Sequence, residues 1–137
     1  MYYKYDPSNS IHVPSPFRRD ITPVFMADDD SIRNCDFSIH LTEWDPGCEI
    51  DEHMHPDGFE AMYLISGEGK VYIDGVEHPF VPDSMIVAPP TIVHKIINTG
   101  TEKLRVLCVF SPPVTGKSLQ RRALEAINVE LENGQPK

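Results

Sequence analysis

The chain has 137 residues, a length that supports one hydrophobic core and one domain. Its 12 Lys and Arg stand against 21 Asp and Glu, a formal charge of −9; that is the wrong sign for phosphate neutralisation and argues against nucleic acid as a partner. A hydrophobic fraction of 40% contains no run of about 18 apolar residues, so no helical membrane span is expected. The opening Met1-Tyr2-Tyr3-Lys4-Tyr5-Asp6 lacks a cationic stretch followed by an apolar one, and a cytoplasmic location is expected.

Residues 1–36 carry Pro7, Pro14, Pro16 and Pro23 and close near the acidic run Asp28-Asp29-Asp30. Proline cannot donate to a ladder, so this segment reads as an extended arm with at most one or two edge strands. Its aromatics, Tyr2, Tyr3, Tyr5, Phe17 and Phe25, are expected to lie against the domain or a second subunit. From Phe37 the pattern changes: Phe37, Ile39 and Leu41 alternate with Ser38, His40 and Thr42 up to the turn Asp45-Pro46-Gly47, which is the period of a half-buried strand. Further strands are expected from Glu49 through His55, from Glu60 to Ile65, from Lys70 to Asp74, from Val76 to Val81, from Met85 to Ala88, from Val93 to Asn98 and from Lys103 to Phe110. Turn residues separate them, among them Pro56-Asp57-Gly58 and the hairpin dipeptide Asp74-Gly75. Many short strands with such regular punctuation predict an all-β sandwich or barrel over residues 37–113.

Beyond Pro112-Pro113, Leu119, Ala123, Ile127 and Leu131 recur at helical spacing between Ser118, a candidate N-cap, and Gly134, a candidate stop. Residues 114–137 therefore read as a C-terminal helix and tail packed on the outside of the barrel. Three cysteines, Cys35, Cys48 and Cys108, form no C-x2-C pair and read as free thiols that pack as small hydrophobes.

The chemistry is concentrated between Gly47 and Asn98. On a strand, His53 and His55 point to the same face while Met54 points away. The turn at Pro56 to Gly58 is expected to fold Glu60 back onto the neighbouring strand on that face. His94 could supply a fourth donor if the sheet curls enough to bring its strand opposite the first pair. Three imidazoles and a carboxylate suit one divalent transition metal (Fe, Mn, Zn, Ni, Co or Cu), not Ca or Mg. Four protein ligands in an octahedral shell leave two positions open to a substrate. His12 and His78 read as ordinary surface histidines, and His40 could face either way.

The spacing Gly47-x5-His53-x-His55-x4-Glu60-x6-Gly67 resembles the first motif of the cupin superfamily at every fixed position. The second motif, glycine, five residues, Pro-x-Gly, two residues, His, three residues, Asn, is met at Pro89, His94 and Asn98, with Asp83 and Thr91 where the pattern has glycine. The resemblance covers roughly residues 37–112, and the chain is similar to small single-domain cupins of the conserved-barrel (cupin 2) type. It implies a jelly-roll β-barrel, a metal held by His53, His55, Glu60 and His94, and a homodimer. It does not imply one reaction.

Period 2 from Glu60 and His94 places Met62, Leu64, Ile92, Ile96 and Asn98 as pocket-lining candidates. On the last strand either Val106, Cys108 and Phe110 or Arg105, Leu107 and Val109 face inward. Arg105 would hold a carboxylate if inward, and the outward reading is preferred. No general base is identified. Two functional readings follow. One is a metalloenzyme acting on a small oxygen-bearing organic substrate, as a dioxygenase, isomerase or lyase. The alternative is a non-catalytic module that binds or senses a small ligand or metal.

Overall fold

A computed structural model describes residues 2–15, 18–29, 35–122 and 125. Among these described residues ten strands form two sheets: β1 Ile11–Val13, β2 Arg19–Phe25, β3 Ser38–Trp44, β4 Glu49–His53, β5 Phe59–Ser66, β6 Gly69–Ile73, β7 Val76–Phe80, β8 Met85–Ala88, β9 His94–Asn98 and β10 Leu104–Ser111. The first sheet has the order β1-β2-β3-β10-β5-β8 and the second β4-β9-β6-β7, with every pairing antiparallel. This is a jelly-roll architecture. Each strand expected after residue 37 forms, with ends shifted by a few residues.

The alternation read from the sequence is the alternation of burial. On β10, Leu104, Val106, Cys108 and Phe110 are buried while Arg105, Leu107 and Val109 are only half-buried, which settles the face left open above. On β5, Glu60, Met62 and Leu64 point inward. The main core lies between the sheets around Trp44, Met62, Leu64, Val71, Phe80, Ile96, Leu104 and Val106. Arg105 faces outward, its guanidinium 3.8 Å from Glu43 and 4.8 Å from the centre of the Tyr5 ring.

The N-terminal segment joins the fold. β2 is an interior strand, flanked by β1 and β3. A second, smaller core of Val13, Ile21, Met26 and Leu119 ties this segment to the C-terminal helix α1, which begins at residue 116. Its cap is Thr115, not Ser118: the Thr115 hydroxyl accepts the Ser118 N–H at 3.0 Å, as an N-cap serves the third helical amide. Ser118 is thus inside the first turn. Described helix runs from 116 to 122; Ala123, Ile127, Leu131 and Gly134, like Phe17, lie outside the described residues. None of the described helices is long and apolar enough to cross a membrane.

Turn geometry explains how the second motif dispenses with its glycines. Asp83 and Thr91 both sit in the left-handed region, at φ 66° and 69°, as the glycines of the pattern would. Aspartate tolerates this conformation; a β-branched residue is strained there. The strain at Thr91 is held by its backbone N–H, which donates to the His55 carbonyl at 2.8 Å and so pins the segment that carries a candidate ligand. Gly67, by contrast, is needed outright: at φ 95° a Cβ would lie 2.6 Å from the Lys103 carbonyl oxygen. Thr91→Gly is expected to be more stable than Thr91→Ala by about 1 kcal/mol in urea unfolding. Equal stability of the two variants would show that the position does not demand a left-handed backbone.

Candidate metal centre

His53 ends β4, and its partner across the ladder is His94, the first residue of β9. The two rings lie 4.2 Å apart between centres. His55 follows two residues beyond the strand, with its ring 5.0 Å from His53 and 5.4 Å from His94. Glu60 enters from β5, in the opposite sheet. The expected geometry is therefore corrected in two places. The Pro56–Gly58 turn does not return Glu60 beside His53 as a hairpin; it carries the chain across the sandwich. His94, expected opposite the histidine pair, is the direct strand neighbour of His53. The imidazoles thus come from one wall and the carboxylate from the other, and one ligand atom from each of the four residues lies within 4.8 Å of every other.

The hydrogen bonds bring two imidazole nitrogens onto one carboxylate oxygen. His94 is fully buried, and its Nδ1–H donates to the Ile92 carbonyl at 3.1 Å. Nε2 of His94 faces Oε2 of Glu60 at 3.2 Å, a contact to which a neutral ring already donating from Nδ1 cannot donate. The same Oε2 lies 2.9 Å from His55 Nε2. A lone pair and a carboxylate oxygen repel at this separation unless a proton or metal cation lies between them. Burial alone would raise the pKa of Glu60, but the hydrogen bonds with His55 and His94 outweigh it and hold the carboxyl well below its ordinary range. Burial likewise opposes charge on His94, and the contacts with Glu60 and the Ile92 carbonyl overcome it, so its pKa is raised. The donor set, three imidazoles and one carboxylate with an ordered outer carbonyl, fits a divalent transition metal.

A cavity of about 410 Å³ opens from this group and is lined from both sheets and α1. Of the expected lining residues, Met62, Ile96 and Cys108 border it. Leu64, Ile92 and Asn98 do not. Leu64 is completely buried in the core between the sheets. Asn98 is a structural staple: its amide donates to the carbonyls of Trp44 at 3.1 Å and Glu102 at 2.8 Å, and its oxygen accepts the Gly100 N–H at 3.0 Å. His12 is exposed and lies 2.6 Å from Asp20, and His78 is exposed on β7.

His40 faces the cavity, and with it come residues the sequence reading did not name. His40, Thr42 and Trp44 are successive inward positions of β3, a set that period 2 would have supplied once the face of His40 was known. Arg19 of β2 borders the cavity beside them, and Leu119 and Arg122 reach it from α1, at the three-residue spacing that puts two side chains on one helix face. His40 stacks on Phe110 at 5.4 Å, and its Nδ1 has no hydrogen-bond partner among the described residues. Burial holds its pKa down at about 4, so it is a neutral imidazole at pH 7. Burial also pushes the Cys108 thiol well above its usual range, leaving it protonated as a small core group.

The model of the cupin domain family matches residues 40–110, and the chain belongs to this family. It is 36% identical over 81 residues to the L-ectoine synthase of Alkalilimnicola ehrlichii, a match covering 58% of this chain and 61% of that protein. To polyketide synthase CurC of Streptomyces cyaneus it is 33% identical over 81 residues, covering 59% and 53%. The chain thus spans less than two-thirds of the length of either relative. The structure of ectoine synthase from P. lautus shares the fold, with a TM-score of 0.72 at 23% identity over 89% of this chain and 86% of that one.

The depressed pKa of His40 makes stability depend on pH with a definite sign. Its unfolded value is near 6.5 and its folded value about 4, so the unfolded chain binds the extra proton between them, and stability falls as pH drops from 6.5 towards 4. The loss is on the order of 3 kcal/mol. Glu60, whose folded pKa is lowered, adds its loss only below its unfolded value of 4.5; His94, whose folded pKa is raised, loses its contribution above 6.5. In chelator-treated protein the slope between pH 4.5 and 6.5 should flatten in His40→Gln, measured by urea unfolding. An unchanged slope would place the titration elsewhere.

Proposed function

We propose that this cupin is a mononuclear metalloenzyme that holds one divalent transition metal at His53, His55, Glu60 and His94 and acts on a small oxygen-bearing organic molecule. The observation that carries the reading is the convergence of three imidazoles and one carboxylate, with one ligand atom from each within 4.8 Å of every other. A metal bound there supplies Lewis-acid polarisation of a substrate oxygen. The protein's own residues do the rest. Trp44, Met62, Ile96 and Phe110 line the cavity and exclude water from the reacting end. His40 offers a neutral ring that can accept a proton. Four protein ligands leave coordination positions for substrate, which a purely structural ion site does not need, and this favours catalysis over a passive binding module. The likeness to L-ectoine synthases makes L-ectoine formation the first activity to assay. Protein purified without added metal is expected to carry near one transition metal per chain by elemental analysis. His53→Ala should lose that metal while keeping its circular dichroism, and metal absent from both proteins would remove the reading.

The same reading includes a homodimer. The outer face of the first sheet presents Phe59, Ile65, Met85 and Val87, of which Met85 is 60% exposed and Val87 50%. Among the described residues β8 is also an edge of that sheet, with a row of backbone groups that no described strand pairs. Two copies each carrying −9 repel at long range, so self-association must use an uncharged surface such as this one. Val87→Glu is expected to shift the sedimenting species from dimer to monomer with little change in the thermal midpoint. A dimer that persists in the variant places the contact on another face.

A further inference from the structure

We propose that Arg122 forms an anion subsite beside the metal-donor group and binds the carboxylate of a small organic acid whose other oxygen is held at that group. This deepens the metalloenzyme reading above and rests on it for the second half of the pose. Arg122 borders the main cavity and also a smaller one of about 250 Å³ lined by His55, Pro56, Phe110 and Pro113, so it stands where the two meet. Its guanidinium carbon lies 5.2 Å from the centre of the Phe110 ring. That ring in turn stands edge-on to His55 at 4.9 Å. The charge is therefore one aromatic ring away from a candidate ligand, held there by a cation–π contact.

Two features of charge point to an anionic occupant. Acids outnumber bases 21 to 12 in this chain, yet no ion pair of the described residues includes Arg122. Other arginines are paired: Arg121 lies 3.8 Å from Glu125, which also lines the cavity, and Arg105, on the outer face of β10, lies 3.8 Å from Glu43. Burial is the largest influence on Arg122 and works against its charge, outweighing the opposing pull of Glu60 and Glu125, so a directly paired anion would offset a cost that remains. The donor group itself brings only one negative charge, from Glu60. A divalent ion among neutral imidazoles and one carboxylate leaves a net positive centre, and Arg122 adds to it. A ligand that joins both must be negative. The planar guanidinium fork matches a carboxylate through two parallel hydrogen bonds. Arg19 borders the same cavity but has interactions of its own, so the assignment is made to Arg122. This residue lies beyond the segment matched to the family, residues 40–110, and marks a specificity feature of this chain.

The probe pair is lactate and lactamide, equal in size and differing in charge, titrated calorimetrically into the full-length protein. Each titration is run on metal-loaded and on chelator-treated samples of the natural chain, Arg122→Ala and Arg122→Lys, with metal content measured in parallel. Expected is a loss of lactate affinity of at least tenfold in Arg122→Ala, partial recovery in Arg122→Lys, and lactamide binding and metal content unchanged. Lactate binding that is unaffected by Arg122→Ala, an equal loss for both probes, or no lactate binding to the natural chain would each overturn the subsite. Should the protein hold no metal, the metalloenzyme reading fails by itself, and the lactate ratio of the chelator-treated proteins still decides the role of Arg122.

Discussion

A carboxylate buried between two β-sheets is the constraint around which this molecule is arranged. Glu60 is only 6% exposed, and an isolated buried carboxylate costs several kcal/mol or more. The fold meets that cost with two imidazole nitrogens within 3.2 Å of a single oxygen. These hydrogen bonds outweigh the burial of Glu60, while His94 also donates from Nδ1 to the Ile92 carbonyl.

The two-sheet construction makes this cluster possible. Were the carboxylate on the strand beside the histidines, four donors would lie on one surface and could not surround an ion. Instead the imidazoles come from β4, the segment after it and β9, and the carboxylate comes from β5 across the sandwich. The backbone is stiffened where it matters. The Thr91 N–H holds the His55 carbonyl, and Asn98 ties together the carbonyls of Trp44 and Glu102. Both devices act on main chain, which is why residues of the second motif shape the site without facing its cavity.

The chain ends complete the pocket. β2 from the N-terminal segment places Arg19 and Ile21 on the cavity wall, and α1 contributes Leu119 and Arg122. The small core of Val13, Ile21, Met26 and Leu119 holds these two ends together. The conserved-barrel strands therefore supply the donors, while the flanking segments supply the cationic rim. The pocket thus brings the four-donor group and the Arg122 guanidinium to within one aromatic ring of each other.

Strands, turns and donors were legible in the amino-acid sequence because each depends on short-range chemistry. Alternation marked β3 to β10, Asp74-Gly75 adopts the positive φ angles, 49° and 78°, of its hairpin turn, and the spacing of His53, His55, Glu60 and His94 identified the group that comes together. The choice of wall for each donor was not legible, since a turn such as Pro56–Gly58 can close a hairpin or cross between sheets with the same residues. Nor was the inward face of β10, because both of its alternating sets are apolar enough to be buried, with Arg105 the only charged member. The cap at Thr115, the cavity-facing side of His40 and the approach of Arg122 to Phe110 are likewise set by packing between segments distant in the chain. Local propensity determines which elements form; only the closing of two sheets over one core decides which side chains meet.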